Sequence, residues 1–546
     1  MKRKITPTLT TLAIILSLYV NILSTHANPH NKPPLFTSSS REPNTIWVPD
    51  NYATIQGAIN NALLGDKIFV RTGTYRENLF VDKALSLIGE DRNRTIIDGG
   101  GDGTSIYIMA TNVTITNFTI QNAQNGIWLR RSEHTILTNN AFLNNEYAIH
   151  VRESSGNILT NNTVSNNEYG IYLYSSSQNV LTANKASNNT YGIYVWGSSG
   201  NILSSNTASL NNYGTLLEYA GSNILTNNTV SNNEYGIYLY SSSQNVLTAN
   251  KASNNQDGIH IRGDSRNNMI FHNNFINNTE PPSSINLENS WDNGAEGNYW
   301  SNYHGTDTNL DGIGDTPYYV DQNRKDSCPL MAPFQHFTLT AENYSHKINV
   351  ICNSTISNLQ YDYDLDTKTN VICLKAADTK NESFCRITIP HALVEPPYTI
   401  AIGDDSPSYL RTLYTNKTHT GLYFAYKDAD QEIIIKHMPY PQQLLLSQWA
   451  IFGLTIIISV LLLATVNYYR KFNAQKKIIQ AYEQELGNFP TSHPERARIR
   501  FIEDVVQRKE RIEKFKKKYG VKIQPATTLE SLMEKLDIQK KKKVKR

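Results

Sequence analysis

Between residues 124 and 262 the sequence returns to itself every 22 residues. Gly126-Ile127-Trp128-Leu129 is followed at that interval by Ala148-Ile149-His150-Val151, Gly170-Ile171-Tyr172-Leu173 and Gly192-Ile193-Tyr194-Val195. The slot continues as Gly214-Thr215-Leu216-Leu217, Gly236-Ile237-Tyr238-Leu239 and Gly258-Ile259-His260-Ile261. No step gains or loses a residue, and the block 157–189 comes back almost letter for letter at 223–255. A unit this short cannot close a core alone and must stack on copies of itself. Gly-Ile-Tyr-Leu-Tyr alternates apolar and polar, as a strand with one buried face does. Asn-Ile-Leu-Thr and Asn-Thr-Val-Ser supply two more short β segments per period, separated by Asn, Ser and Gly turn residues. Three strands per period leave no room for a helix, and the Leu-x-x-Leu-x-Leu of a leucine-rich repeat is absent. The repeat therefore predicts an all-β parallel β-helix with 22-residue coils.

Two columns of asparagine support that fold. Asn140, Asn162, Asn184, Asn206, Asn228 and Asn250 share one slot; Asn145, Asn167, Asn189, Asn211, Asn233 and Asn255 share another. They read as corner residues, tolerant of left-handed backbone, whose stacked amides bond from coil to coil.

The rest of the chain is arranged about this block. Residues 1–27 carry a basic start (Lys2, Arg3, Lys4), an apolar run and Thr25-His26-Ala27, the pattern of a secretory signal peptide. Residues 28–45 read as a spacer. The β-helix is assigned to 46–334, opened by an amphipathic helix over 54–64 that covers the first coil with Ile55, Ala58, Ile59, Ala62 and Leu63. Short strand-like runs in 337–438 predict a small β-sandwich. Residues 444–466 carry no charge over 23 positions, enough to cross a bilayer, and Arg470, Lys471, Lys476 and Lys477 follow directly. The tail 467–546 holds 22 Lys and Arg against 10 Asp and Glu and reads as helical around 497–517. These features predict a single-pass membrane protein with β-helix and sandwich outside the cell. The basic cytoplasmic tail would lie against anionic lipid. It contains no phosphate-cradling glycine loop, kinase signature or zinc pattern, and no specific nucleic-acid binding is expected. In an exported chain Cys328, Cys352, Cys373 and Cys385 point to disulfides, with three pairings open and no CxxC metal pattern.

Val48-Pro49-Asp50, Thr54-Ile55-Gln56-Gly57-Ala58-Ile59, Gly73-Thr74-Tyr75-Arg76-Glu77-Asn78 and Leu87-Ile88-Gly89 resemble the opening of pectin-lyase-like β-helix proteins. The coils that follow are similar to NosD-type repeats of archaeal surface proteins. The resemblance spans 46–334 and implies a right-handed parallel β-helix. It leaves activity open, because that superfamily mixes lyases, hydrolases, esterases, epimerases and binders without activity. It also raises copper, but His150, His260, His272 and His304 form no cluster in the sequence and Met109, Met269 and Met331 are scattered. No copper site is assigned.

Inside each Gly-Ile-Tyr-Leu-Tyr strand the Ile and Leu point inward and the residues between them outward. Stacking then aligns Trp128, His150, Tyr172, Tyr194, Leu216, Tyr238 and His260, with Arg130, Arg152, Tyr174, Trp196, Glu218, Tyr240 and Arg262 beside them. Coils lie about 4.8 Å apart, so these residues form a long outward stripe. Aromatic rings in a row, flanked by charge, suit polysaccharide or a surface glycoprotein. Eleven sequons, among them Asn93, Asn112, Asn117, Asn161, Asn188, Asn227 and Asn277, fit a glycosylated surface protein, those in the Asn columns being buried. For an enzyme, a polysaccharide lyase or hydrolase, the best acid–base cluster is Asp257, His260, Arg262 and Asp264. The column Glu146, Glu168, Glu234 reads as solvent-facing. A purely structural stalk or adhesin is the third reading. Finally, Asp307, Asn309, Asp311, Ile313 (through its carbonyl) and Asp315, with Gly312 between, follow the first nine places of a calcium loop. Tyr318 stands where the bidentate Glu belongs, with Asp321 or Asp326 as the substitutes at hand, and the expected calcium is a structural ion in the C-terminal cap.

Overall fold

The computed structural model describes residues 42–284, 288–342, 344–365, 369–377, 382–427 and 431–438, together with Lys514 and Lys517. The expected signal peptide, most of the spacer, the apolar span 444–466 and the rest of the tail lie outside the described residues. Among the described residues no helix is long and apolar enough to cross a membrane.

The repeat folds as a right-handed parallel β-helix. Each coil gives one strand to each of three parallel sheets, of 11, 10 and 11 strands. One coil consists of Tyr169–Tyr174, Val180–Thr182 and Lys185–Ser187. The next coil pairs with it one period on, Ile171 beside Ile193, Leu181 beside Leu203 and Ala186 beside Ala208. Because the period never slips, each inward side chain meets its own counterpart, and Ile171, Leu173, Leu181 and Ala186 are all within 1% of full burial. A buried Leu or Ile is worth ~2 kcal/mol, so every coil adds a similar increment.

The corners separate two jobs that the sequence reading gave to one residue. The stacked asparagines are buried and bond from coil to coil: Asn184 donates its backbone N–H and Nδ2 to Asn206 Oδ1, both at 3.0 Å, and Nδ2 also reaches Leu159 O at 2.7 Å. The left-handed backbone falls one position earlier, on Asn139, Asn161, Ala183, Ser205, Asn227 and Ala249. These residues face outward, so the sequon residues Asn161, Asn188 and Asn227 are exposed rather than part of the buried columns. A third ladder, Asn157, Asn179, Asn201, Asn223 and Asn245, runs along another corner. Beside it Ser132, Ser154, Ser176 and Ser198 are linked from N–H to Oγ. After Asp257–Arg262 the spacing lengthens: Gly263 takes φ 63° and the ladder step from Asn245 to Asn268 becomes 23.

The first coil is covered by the helix Ile55–Asn61, capped by Thr54, whose Oγ1 accepts the Gly57 N–H at 3.1 Å. Glu77 accepts the Ile55 and Gln56 N–H groups, each at 2.9 Å, satisfying donors that a helix start leaves free. The helix is shorter than expected: Ala62 is extended, so Leu63 leaves the buried face and is 58% exposed. At the far end Trp291 and Trp300 close the core. Two antiparallel sheets of five and four strands then enclose one apolar core, the arrangement of a small β-sandwich, in the same compact unit as the solenoid.

Candidate binding face

The ten-stranded sheet carries the expected outward stripe. Parallel register puts Trp128 beside His150, His150 beside Tyr172 and Tyr172 beside Tyr194. Their ring centroids lie 5.7, 5.3 and 4.9 Å apart with interplanar angles of 12°, 24° and 21°. Tyr107 extends the row at 4.9 Å from Trp128, and Leu216, which is buried, interrupts it before Tyr238. Tyr174 and Trp196 stack beside it at 4.4 Å and 4°. Arg130 sits over the Trp128 ring and Arg152 over Tyr174, at 5.7 and 5.1 Å.

A second ladder was not read from the sequence. Tyr147, Tyr169, Tyr191, Tyr213 and Tyr235 stack at 4.5 to 5.0 Å, within 12° of parallel. Counting alternation back from Tyr172 places Tyr169 inside, yet it is half-buried on the outer side. The reason lies at Gly170 inside this strand: the register runs from Tyr169–Tyr191 to Ile171–Ile193 and passes over it, and Gly170 and Ile171 are both buried. A Cβ at Gly170 would stand 2.4 Å from Gly192 O, so the next coil passes close and the slot takes only Gly or, at position 148, Ala. The recurring Tyr-Gly pair was the available signal. The two ladders interlock, Tyr191 with Tyr194 at 5.2 Å and Tyr235 with Tyr238 at 5.3 Å.

This packing changes what the face offers. Rings stacked along the solenoid turn their faces to one another, so their edges and hydroxyls are what point outward. Burial raises the hydroxyl pKa of Tyr169, Tyr172 and Tyr194, and Tyr194 also donates to Glu218, so all three stay neutral donors. Burial, aided by the Arg152 charge, lowers His150 to about 4. Its neutral ring meets Asn125 Oδ1 at 3.2 Å through Nδ1, which places the proton there and leaves Nε2 an acceptor. Trp128 Nε1 and Arg130 Nε are buried donors with no hydrogen-bond partner among the described residues.

The proposed acid–base cluster divides. Asp257 and His260 are both buried and pair at 2.5 Å, while Arg262 and Asp264 are exposed and Asp264 turns to Arg266. Burial lowers His260, against the opposing pull of Asp257. Its ring stands nearly perpendicular to Tyr238, at 84°, and ends the stripe. Glu146, Glu168 and Glu234 are exposed, as expected.

In the cap loop the carboxylates are occupied by the chain itself. Asp307 accepts the Asp311 and Gly312 N–H groups at 3.0 and 2.7 Å, Asp311 accepts that of Ile313 at 2.9 Å, and Asp315 accepts that of Thr308 at 2.8 Å. Arginines of the sandwich reach its carbonyls: Arg411 to Asn309 O and Arg386 to Asp311 O, both at 2.6 Å. The hard oxygen donors suit calcium, but among the described residues no three His, Cys, Asp or Glu side chains converge as for a metal ion. Nor do the four histidines meet: His272 pairs with Glu296 at 2.7 Å.

Among known proteins, residues 59–218 and 186–305 match the family described as periplasmic copper-binding protein (NosD). No curated protein matches the chain. Similar solved structures include an alginate lyase from Paenibacillus sp. str. FPU-7, at 15% identity over 45% of this chain and 98% of that one, TM-score 0.29. The A-module of a mannuronan C-5 epimerase from Azotobacter vinelandii matches at 14% identity over 44% and 93%, TM-score 0.33. The Dettilon tailspike protein matches at 12% over 72% and 93%, TM-score 0.34. With the family match running from coil to coil and three parallel sheets built on one period, residues 59–305 form a NosD-type parallel β-helix.

Proposed function

We propose that this protein binds polysaccharide, or the glycans of a surface glycoprotein, along the outer face of its ten-stranded sheet. The observation that carries this is translational repetition. The same hydroxyl-bearing ring recurs one coil further on, from Tyr147 to Tyr235 and from Tyr172 to Tyr194. A linear polymer lying along the solenoid meets the same donors at each step, whereas a compact ligand uses only one step. In this proposal the signal-like segment and the apolar span hold the face outside the cell on a single membrane pass, with the basic tail on the cytoplasmic side against anionic lipid.

Calcium remains part of the proposal as a structural ion at 307–315, resting on the donor chemistry of Asp307, Asn309, Asp311, the Ile313 carbonyl and Asp315. The mutual coverage of the ring faces favours a second reading, a non-catalytic stalk whose ladders only stabilise, each stacked pair worth ~1 kcal/mol.

Full-length protein in detergent, applied to a polysaccharide array with product analysis, separates these readings. Binding predicts retention of intact polymer by the wild type and its loss in Trp128→Ala/Tyr172→Ala/Tyr194→Ala with an unchanged circular dichroism spectrum. Retention surviving in that variant overturns the assignment of binding to this row, and retention absent from the wild type leaves the stalk. Shortened or unsaturated products make the protein an enzyme; if they persist in Asp257→Ala and His260→Ala, the chemistry lies elsewhere.

A further inference from the structure

We propose that Cys352 and Cys385 form a thiol–disulfide site inside the β-sandwich. Spacing left three pairings open; strand register chooses among them. Tyr344–Cys352 and Ser383–Pro390 are adjacent antiparallel strands, with Cys352 directly opposite Cys385. The Cys352 N–H turns away to Pro333 O, at 3.4 Å, so this is a pair not joined by backbone hydrogen bonds. In such pairs the Cα atoms approach to about 4.5 Å, within the range a disulfide spans. Both residues are buried, at 1% and 0% exposure. Cys328 lies before the sandwich and Cys373 on its other sheet, opposite Ile434.

The surroundings distinguish the two sulfurs. Cys352 lines a groove of about 500 Å³ between solenoid and sandwich, which also borders Asn228, Lys251 and Phe334. Burial pushes the Cys352 thiol up, but donors from Cys385, Tyr426 and Ser354 outweigh it and bring it below the ordinary range. The Tyr426 hydroxyl stands 3.4 Å from its sulfur. Burial and the neighbouring sulfur raise Cys385 well above that range. Cys352 borders the groove and Cys385 is not among its lining residues, so Cys352 is the thiol placed to attack. As thiolate it displaces one sulfur of a low-molecular-weight disulfide, releasing one thiol and forming a mixed disulfide. Cys385, losing its proton, attacks the Cys352 sulfur and releases the second thiol. The protein loses two electrons and two protons, and the small disulfide is reduced to two thiols.

The test treats the full-length reduced chain with oxidised glutathione, then denatures and alkylates it without reduction before peptide mass mapping. The expected result is a peptide pair joining Cys352 to Cys385, with alkyl groups on Cys328 and Cys373 alone. Oxidation should also raise the melting temperature of the sandwich by roughly 10 °C, since the bond closes a loop of about thirty residues. In Cys385→Ser the reaction should stop at glutathione on Cys352. Alkylation of all four cysteines in the treated wild type, or a cross-link joining any other pair, overturns the proposal without recourse to a variant.

Discussion

Arg386 of the sandwich places Nη2 2.5 Å from Glu296 Oε1 in the solenoid cap, and both side chains are largely buried. Glu296 Oε2 takes His272 Nε2 at 2.7 Å, so one carboxylate joins the last coils to the sheet that follows. Burial alone would raise this carboxyl; the His272 hydrogen bond and the Arg386 charge outweigh it and bring it to about 2. A depressed carboxyl contributes stability that is present above its unfolded value and lost as pH falls through the folded one. Melting curves should therefore lose stability between about pH 4.5 and 2. Glu296→Gln should cost ~3 kcal/mol at neutral pH, because it leaves Arg386 buried without its partner.

Asp326 has the opposite sign. It is fully buried, its Oδ2 accepts the Asn298 N–H at 2.7 Å and Trp300 Nε1 at 3.0 Å, and burial lifts it to about 6. A raised carboxyl stabilises below its unfolded pKa, and that contribution is lost as pH rises through the folded value. Stability should thus increase as pH falls from about 7 toward 4, before the loss at Glu296 takes over. Asp326→Asn should abolish that rise; thermal melts across pH in wild type and variant measure it.

Asn184→Ala should cost ~2 to 4 kcal/mol although it removes only a small polar side chain. The amide accepts from Asn162 N–H at 3.0 Å and donates to Leu159 O at 2.7 Å, and its loss strands buried backbone groups in the adjacent coil. The denaturation midpoint should fall, whereas Asn161→Ala, at the exposed corner position beside the ladder, should change it far less.

For the cap loop, a weak structural calcium site filled to ten times its dissociation constant would add about 1.4 kcal/mol. The proposal expects calcium to raise the melting temperature of the wild type and not that of Asp307→Asn/Asp311→Asn. An unchanged wild-type melting temperature would leave Arg386 and Arg411 as the cations of this loop.

Legibility of the sequence follows the range of the interaction. The period from Gly126 to Gly258 determined the coil, the inward columns headed by Ile171 and Leu173, the outward row from Trp128 to Tyr194 and two of the Asn ladders. One residue then meets its own counterpart, and translation by one period is written in the chain. The Tyr147 ladder escaped because alternation breaks inside the strand, where Gly170 and Ile171 are buried in succession. The edge-on presentation of the stripe escaped because the tilt of a ring depends on its neighbour's packing. The pairing of Cys352 with Cys385 and the contact of Arg386 with Glu296 have no period behind them. They exist only where distant segments, each locally unremarkable, are brought together by sheet register and by the docking of one core against another, and those the tertiary structure alone decided.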